Sequence, residues 1–206
     1  MKVAPFGDAA VEIVADGAVH ARRVARAIER VDGVLEPVVG WDRVVAHLCD
    51  GADPEATRGA IERALAAGVP DDVGAATREH LVRAIYDGPD LREIAEASGL
   101  SIEEVAARHA APTYVVEVIG FLPGFAYLGG VDPSIARPRR ATPRPRVPAR
   151  SIGVAGPRTA IYPLPSPGGW NLVGRAVDFA PFDPSRTPPA RLQVGDRVRF
   201  EILEIG

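Results

Sequence analysis

Proline divides this chain of 206 residues into two unlike parts. Of its 20 prolines, five precede residue 112 and the other fifteen lie from Pro112 onward. A proline inside a helix removes a backbone donor and clashes with the preceding turn, so the C-terminal part is closed to long helices. What remains there is a series of short apolar runs: YVVEVIG, SIGVAG, TAIYPL, WNLVGRAV and DRVRFEIL. Glycine and proline punctuate them heavily. Many short strands with such punctuation specify a closed barrel or a sandwich.

The N-terminal part follows different periods. Residues 9–14 (AAVEIV) alternate as a strand, and Val24, Ala27, Ile28 and Val31 recur at helical spacing over 18–31. Two further strands, VLEPVV and RVVAHLC, flank a turn at Gly40, Trp41 and Asp42. Asp53 then caps a helix that starts at Pro54 and stops at Gly68. HLVRAIY, from His80 to Tyr86, reads as the closing strand. The order β-α-β-β-α-β predicts a ferredoxin-like α/β sandwich over residues 1–86. Residues 87–206 then form the β-rich domain, with a helical pair at its head. That pair is LREIAEAS after Asp90 and SIEEVAARH, where Ser101 and Glu104 make a capping box. It has the outline of a helix-turn-helix DNA reader, but its second helix opens with Glu103 and Glu104, which repel phosphates. A structural hairpin fits better.

Composition removes several functions. The formal net charge is -3, from 24 basic and 27 acidic residues, which argues against binding to nucleic acid through phosphates. Cys49 is the single cysteine, so neither an internal disulfide nor a cysteine zinc cluster is available. His20, His47, His80 and His109 are scattered without metal-ligand spacing. No apolar run reaches membrane-spanning length, and the N-terminus lacks a signal-peptide core, so the expected location is the cytoplasm. Lys2 is the only lysine, which excludes a Walker phosphate loop and leaves no lysine for Schiff-base chemistry in the body of the chain.

The chemistry concentrates between Pro133 and Val177. These 45 residues contain no Asp, Glu, Lys or His and eight arginines: Arg137, Arg139, Arg140, Arg144, Arg146, Arg150, Arg158 and Arg175. Prolines stiffen the densest part, RPRRATPRPRVP. Guanidinium forks so held suit a carboxylate or phosphate, or an acidic partner surface. Around them lie GFLPGFAYLGG and IYPLPSPGGW. Phe121, Phe125, Tyr127 and Trp170 either wall a pocket for a small planar ligand or fill the barrel core. His109, at the end of the second short helix, is either a proton-transfer group or a helix C-terminal cap.

The run from His109 through GFLPGFAYLGGVDP, RPRRATPRPRVP and GVAGPRTAIYPLPSPGGWNLVGR, with GDAAVEI and YDGPDL before it, resembles the allophanate hydrolase subunit 1 / 5-oxoprolinase B-subunit (KipI-like) family. The resemblance spans nearly the whole chain. It implies an α+β fold: an N-terminal α/β domain followed by a cyclophilin-like β-barrel. It implies one component of an ATP-dependent 5-oxoprolinase, opening 5-oxo-L-proline to L-glutamate and inactive alone. Expected partners are a protein of the 5-oxoprolinase C-subunit / allophanate hydrolase subunit 2 type and an A-type component of the LamB/YcsF kind. The nucleotide site is not assignable to this chain. A KipI-like inhibitor of a sensor histidine kinase, or a urea/allophanate carboxyltransferase-type subunit, are the alternatives. On the matching positions, Arg139, Arg140, Arg144 and Arg146 are the expected clamp, with Arg140 and His109 catalytic. Phe121, Phe125, Tyr127, Trp170 and Arg175 join the substrate-binding set. Three positions depart from the family pattern: Arg150 stands where glycine is usual, Pro157-Arg158-Thr159-Ala160 replaces a Gly-Gln-Thr-Gly stretch, and Ala176 replaces a threonine.

Overall fold

The computed structural model describes residues 1–71 and 78–206. It divides into two compact units, 1–76 and 77–206. The first unit contains β1 (Lys2–Pro5), β2 (Ala10–Val14), α1 (Gly17–Ile28), β3 (Val34–Gly40), β4 (Arg43–Leu48) and α2 (Pro54–Ala67). Its four strands form one antiparallel sheet in the order β1-β2-β4-β3. Val11, Ile13, Val44 and Ala46 alternate inward from the sheet and meet Ala21, Val24 and Ile28 of α1 and Ile61 and Leu65 of α2. Asp53 caps α2 as expected, its Oδ1 accepting from the backbone N–H of Glu55 at 2.9 Å.

The second unit contains β5 (Glu79–Tyr86), α3 (Leu91–Ser98), α4 (Ile102–Ala110), β6 (Tyr114–Ile119), β7 (Ala126–Gly129) and β8 (Arg144–Val147). Next come β9 (Ser151–Ala155), β10 (Arg158–Ile161), β11 (Ser166–Gly168), β12 (Asn171–Ala176) and β13 (Arg197–Ile205). Seven strands close a barrel in the order β10-β7-β6-β13-β5-β12-β9, and β8 and β11 form a separate ribbon. The expectation of an α+β chain ending in a closed barrel is borne out. The hairpin of α3 and α4 buries Leu91, Ile94, Val105, Ala106 and His109 against the barrel core. Ser101 and Glu104 form the expected capping box, with Ser101 N–H donating to Glu104 Oε2 at 2.7 Å.

One strand is in a different sheet from the one its pattern implied. β5 closes no sandwich. It lies in the barrel, parallel to β13 and antiparallel to β12. The boundary therefore falls near residue 76 rather than 86. The vacant position beside β2 is taken by β1, a short N-terminal strand that the pattern did not reveal. The first sheet thus keeps the layout of a ferredoxin-like sandwich with its last strand supplied from the opposite end of the unit. Alternation decides that Val82, Ala84 and Tyr86 point inward, and all three are fully buried. It carries no information about which sheet receives the strand.

Candidate functional site

The β6–β7 turn, the arginine loop and the β11–β12 turn together wall a cavity of about 220 Å³, lined by Phe121, Phe125, Tyr127, Tyr162, Trp170 and Arg139 among others. All four aromatic residues expected to wall a pocket line this one. Phe125 and Trp170 also belong to a small core cluster with Val147, Ala160, Tyr162 and Leu172, so they pack as core on one side while lining the cavity on the other. Phe125 meets Phe121, Tyr127, Tyr162 and Trp170 edge-on, at centroid separations of 5.0 to 5.6 Å. Such edge-to-face contacts lock the rings into one cluster. Phe121 is 62% exposed and has φ +74°. A bulky residue in the left-handed region is strained by about 1 kcal/mol or more, and such outliers gather at ligand sites. Gly168 passes directly under Tyr162, where any Cβ would collide with the phenol oxygen. Burial pushes the Tyr162 phenol above its usual value, against the opposing pull of the Trp170 backbone N–H and of Arg139 and Arg144. Tyr162 therefore stays a neutral hydroxyl.

The arginines do not form one clamp. Arg139 is exposed at the rim of the aromatic cavity and has no carboxylate partner among the described residues. Arg140 and Arg144 converge instead on Asp90, which is 2% exposed. Asp90 Oδ1 accepts from Arg140 Nη1 at 2.7 Å and from Arg144 Nη2 at 2.6 Å, and its Oδ2 accepts from Leu172 N–H at 2.7 Å. Arg140 also reaches Glu93 at 3.2 Å. The guanidinium of Arg140, expected to be catalytic, is engaged here in holding the loop to the start of α3. The loop backbone is fastened as well. Arg140 N–H donates to Gly169 O at 2.8 Å, and Asn171 Nδ2 donates to Pro138 O at 2.8 Å. Arg140, with Arg137 and Arg139, also lines a larger hollow of about 410 Å³. Arg146 and Arg175 sit elsewhere, with Arg144, on a third pocket.

His109 is likewise engaged. Its ring is fully buried in the barrel between Tyr86, Tyr114 and Phe200. Thr159 spends its single hydroxyl proton on Gly153 O at 3.0 Å, so at His109 it can only accept. His109 Nε2 therefore carries the hydrogen and donates to Thr159 at 2.9 Å, while Nδ1 accepts from Tyr86 Oη at 2.7 Å. Burial pushes its pKa down to about 3. A neutral ring with both nitrogens occupied inside the barrel neither shuttles protons at the surface nor caps a helix as a cation. It ties α4 to β5 and β10.

The departures from the family pattern are now placed. Arg150 has φ +67°, so the glycine-type turn is retained and the arginine carries the strain. Its Nη1 donates to Val177 O at 3.1 Å. Arg158 pairs with Glu117 at 2.8 Å, and Ala176 is buried in the barrel core, so neither change enters the aromatic cavity. Asp90, Tyr162 and Asp196 are residues whose weight the sequence did not disclose. Asp90 reads as an ordinary helix cap, yet its side chain makes no cap bond. Asp196 reads as part of a generic turn, yet it is 2% exposed and accepts from Arg78 N–H, Gln193 N–H and His80 Nε2. Among the described residues no three His, Cys, Asp or Glu side chains converge as a metal ion requires. No helix among them is long and apolar enough to cross a membrane.

The family model of the carboxyltransferase domain, subdomain C and D, matches residues 1–192. Curated relatives named as the B subunit of 5-oxoprolinase are 49% identical in Bacillus subtilis and 46% identical in Haemophilus influenzae, each over 113 residues or 55% of this chain. The matched segment spans about half of those relatives, 47% and 53% of their lengths. The crystal structure of the protein TTHA0988 superposes with a TM-score of 0.80 and 39% identity, covering 95% of this chain and 40% of that one. The urea carboxylase of Kluyveromyces lactis has the same fold at 17% identity, with a TM-score of 0.75 over 98% of this chain and 21% of that one.

Proposed function

The chain belongs to the carboxyltransferase subdomain C and D family, and from that premise we propose that it acts as the B component of an ATP-dependent 5-oxoprolinase. The observation that carries the proposal is the aromatic cavity with Arg139 at its rim, exposed and without a carboxylate partner among the described residues. A volume of about 220 Å³ lies below the roughly 300–1,000 Å³ of pockets for drug-sized ligands, which favours a small metabolite. 5-Oxo-L-proline has a flat lactam ring and one carboxylate. The ring packs on Phe125, Tyr127 and Trp170, Arg139 holds the carboxylate, and Phe121 covers the mouth. Tyr162, a neutral phenol, points a donor or acceptor at the lactam amide. Asp90, through Arg140 and Arg144, positions the loop that carries Arg139.

A lactam is a resonance-stabilised amide and water opens it slowly. Transfer of the γ-phosphoryl group from ATP to its oxygen makes the ring carbon electrophilic. Water adds there, the C–N bond breaks with the nitrogen leaving as the amine to give γ-glutamyl phosphate, and a second water releases glutamate and phosphate. This chain orients the lactam, while the nucleotide is assigned to the assembled complex. The relatives' designation as one subunit of an enzyme supports assembly with partners. For these we propose a 5-oxoprolinase C component, of the allophanate hydrolase subunit 2 type, and a LamB/YcsF-type A component. A second reading, in which the chain serves a carboxyltransferase, is favoured by the family's description.

The test is ATP-dependent glutamate release from 5-oxo-L-proline by this chain with its A-type and C-type partners, and with each omitted. Release that requires this chain is expected. Arg139→Ala is expected to raise KM about tenfold or more through loss of a charge-assisted contact. Absence of release from a fully assembled mixture overturns the proposal and leaves the carboxyltransferase reading.

A further inference from the structure

The third pocket shares no lining residue with the aromatic cavity. It encloses about 300 Å³, and its wall carries Arg144, Arg146 and Arg175 with Asp87, beside Gly88 and Ser151. Strand periodicity places Arg144 and Arg146 on the same side of β8. Arg175 comes from β12.

The charges there do not balance. Asp87 pairs with Arg175 at 2.8 Å. Arg144 has only a share of Asp90, whose same oxygen also receives Arg140. Arg146 is exposed and has no carboxylate partner among the described residues. Three guanidinium groups thus face the pocket against one carboxylate and part of a second, a surplus of more than one positive charge. Arg144 Nη1 is moreover buried without a hydrogen-bond partner. An orphaned buried donor costs about 1–3 kcal/mol unless something accepts from it.

We propose that this pocket is a binding site for a phosphate-class oxyanion. Guanidinium forks donate in pairs to such an anion, and a dianion matches the surplus where a single carboxylate leaves part of it uncompensated. Arg146 and Arg175 supply the accessible donors and Arg144 the positive wall. The volume leaves room for the body of a phosphorylated ligand beside its anionic group. The proposal goes beyond the lactam reading and does not depend on it, because the site is tested without lactam, nucleotide or partner.

The experiment titrates inorganic phosphate into the full chain at constant ionic strength, followed by calorimetry and by 31P line width. Constant ionic strength separates a site from general screening. Saturable binding is expected, weakened about tenfold by Arg146→Ala, since a hydrogen bond to a charged group is worth about that factor. Arg175→Gln, made separately, is expected to weaken it as well, and an unchanged thermal melt for either variant excludes misfolding. Arg139→Ala is expected to leave phosphate binding intact. Acetate is expected to bind at least tenfold more weakly than phosphate. Non-saturable uptake, equal binding of acetate, or loss of binding with Arg139→Ala rather than Arg146→Ala each overturns the proposal.

Discussion

The two units reach stability by different means. In the first, the core is apolar but for Thr57: Ile13, Val24, Ile28, Val44 and Ile61 are each fully buried. In the second, the core is threaded with polar ties. Of the eight buried polar or charged residues among those described, Thr57 alone lies in the first unit; Asp90, His109, Ser151, Thr159, Ser166, Asn171 and Asp196 lie in the second. The first unit needs only faces that match, because helix and sheet satisfy their own backbone groups. The second carries long irregular connections between barrel strands, whose backbone groups need partners from elsewhere. Asp90, Asn171 and Asp196 provide them, and Asp90 and Asn171 in doing so fix the arginine loop that borders the candidate sites.

The sharpest way to break this contrast is Asp90→Ala. It removes the acceptor of two guanidiniums and of the Leu172 N–H at once. Breaking a buried pair costs about 3–5 kcal/mol, and the lower end applies because both arginines are partly exposed and regain water. Hydrogen exchange should show the loss in the second unit and none in the first. If protection falls equally in both, the polar ties are not local.

Acid gives the next effect. His109 is neutral in the folded chain, with its pKa pushed down to about 3, while the unfolded chain takes up a proton below about 6.5. The unfolded state thus binds more protons throughout that window, so stability falls as pH drops from about 6.5 towards 3. Linkage puts the loss at about 2 kcal/mol between pH 6.5 and 4.5. Denaturant midpoints across that range should show it, and His109→Gln should flatten the slope. A slope unchanged in the variant would assign the acid sensitivity to other groups.

A smaller effect tests the apolar unit. Ile28→Val is expected to cost about 1 kcal/mol, with no change in pH dependence. The smallest runs in the stabilising direction. Arg150→Gly relieves a left-handed residue strained by about 1–2 kcal/mol, but loses the bond to Val177 and adds freedom to the unfolded chain. A net gain below about 1 kcal/mol is expected, read as a small rise in Tm.

Legibility in the sequence followed the same division. The helices were readable to within a few residues, since amphipathic spacing and caps such as Asp53 and Ser101 act over one or two turns. The barrel strands were readable as a class from their length and their glycine and proline punctuation. β1 was missed because four residues at a terminus carry too little alternation to register. The aromatic residues and Arg139 come together around one cavity because they lie in turns flanking the same strands. The single arginine clamp failed because equal residues in one proline-rich run turn to opposite sides, and their destinations depend on carboxylates some 50 residues away in sequence.

What the sequence determined by itself was what each segment can do locally: its periodicity, its caps, its stiff turns and the charge it carries. These depend on neighbours within about four residues, and the chain states them directly. Only the tertiary structure decided partnership. It sent β5 into the barrel instead of the first sheet, enclosed His109 with Tyr86 and Thr159, and set Asp90 between Arg140 and Arg144 while leaving Arg139 and Arg146 without a carboxylate among the described residues. Pairing energy depends on which groups share a desolvated space, and that space exists only once distant strands have closed around it.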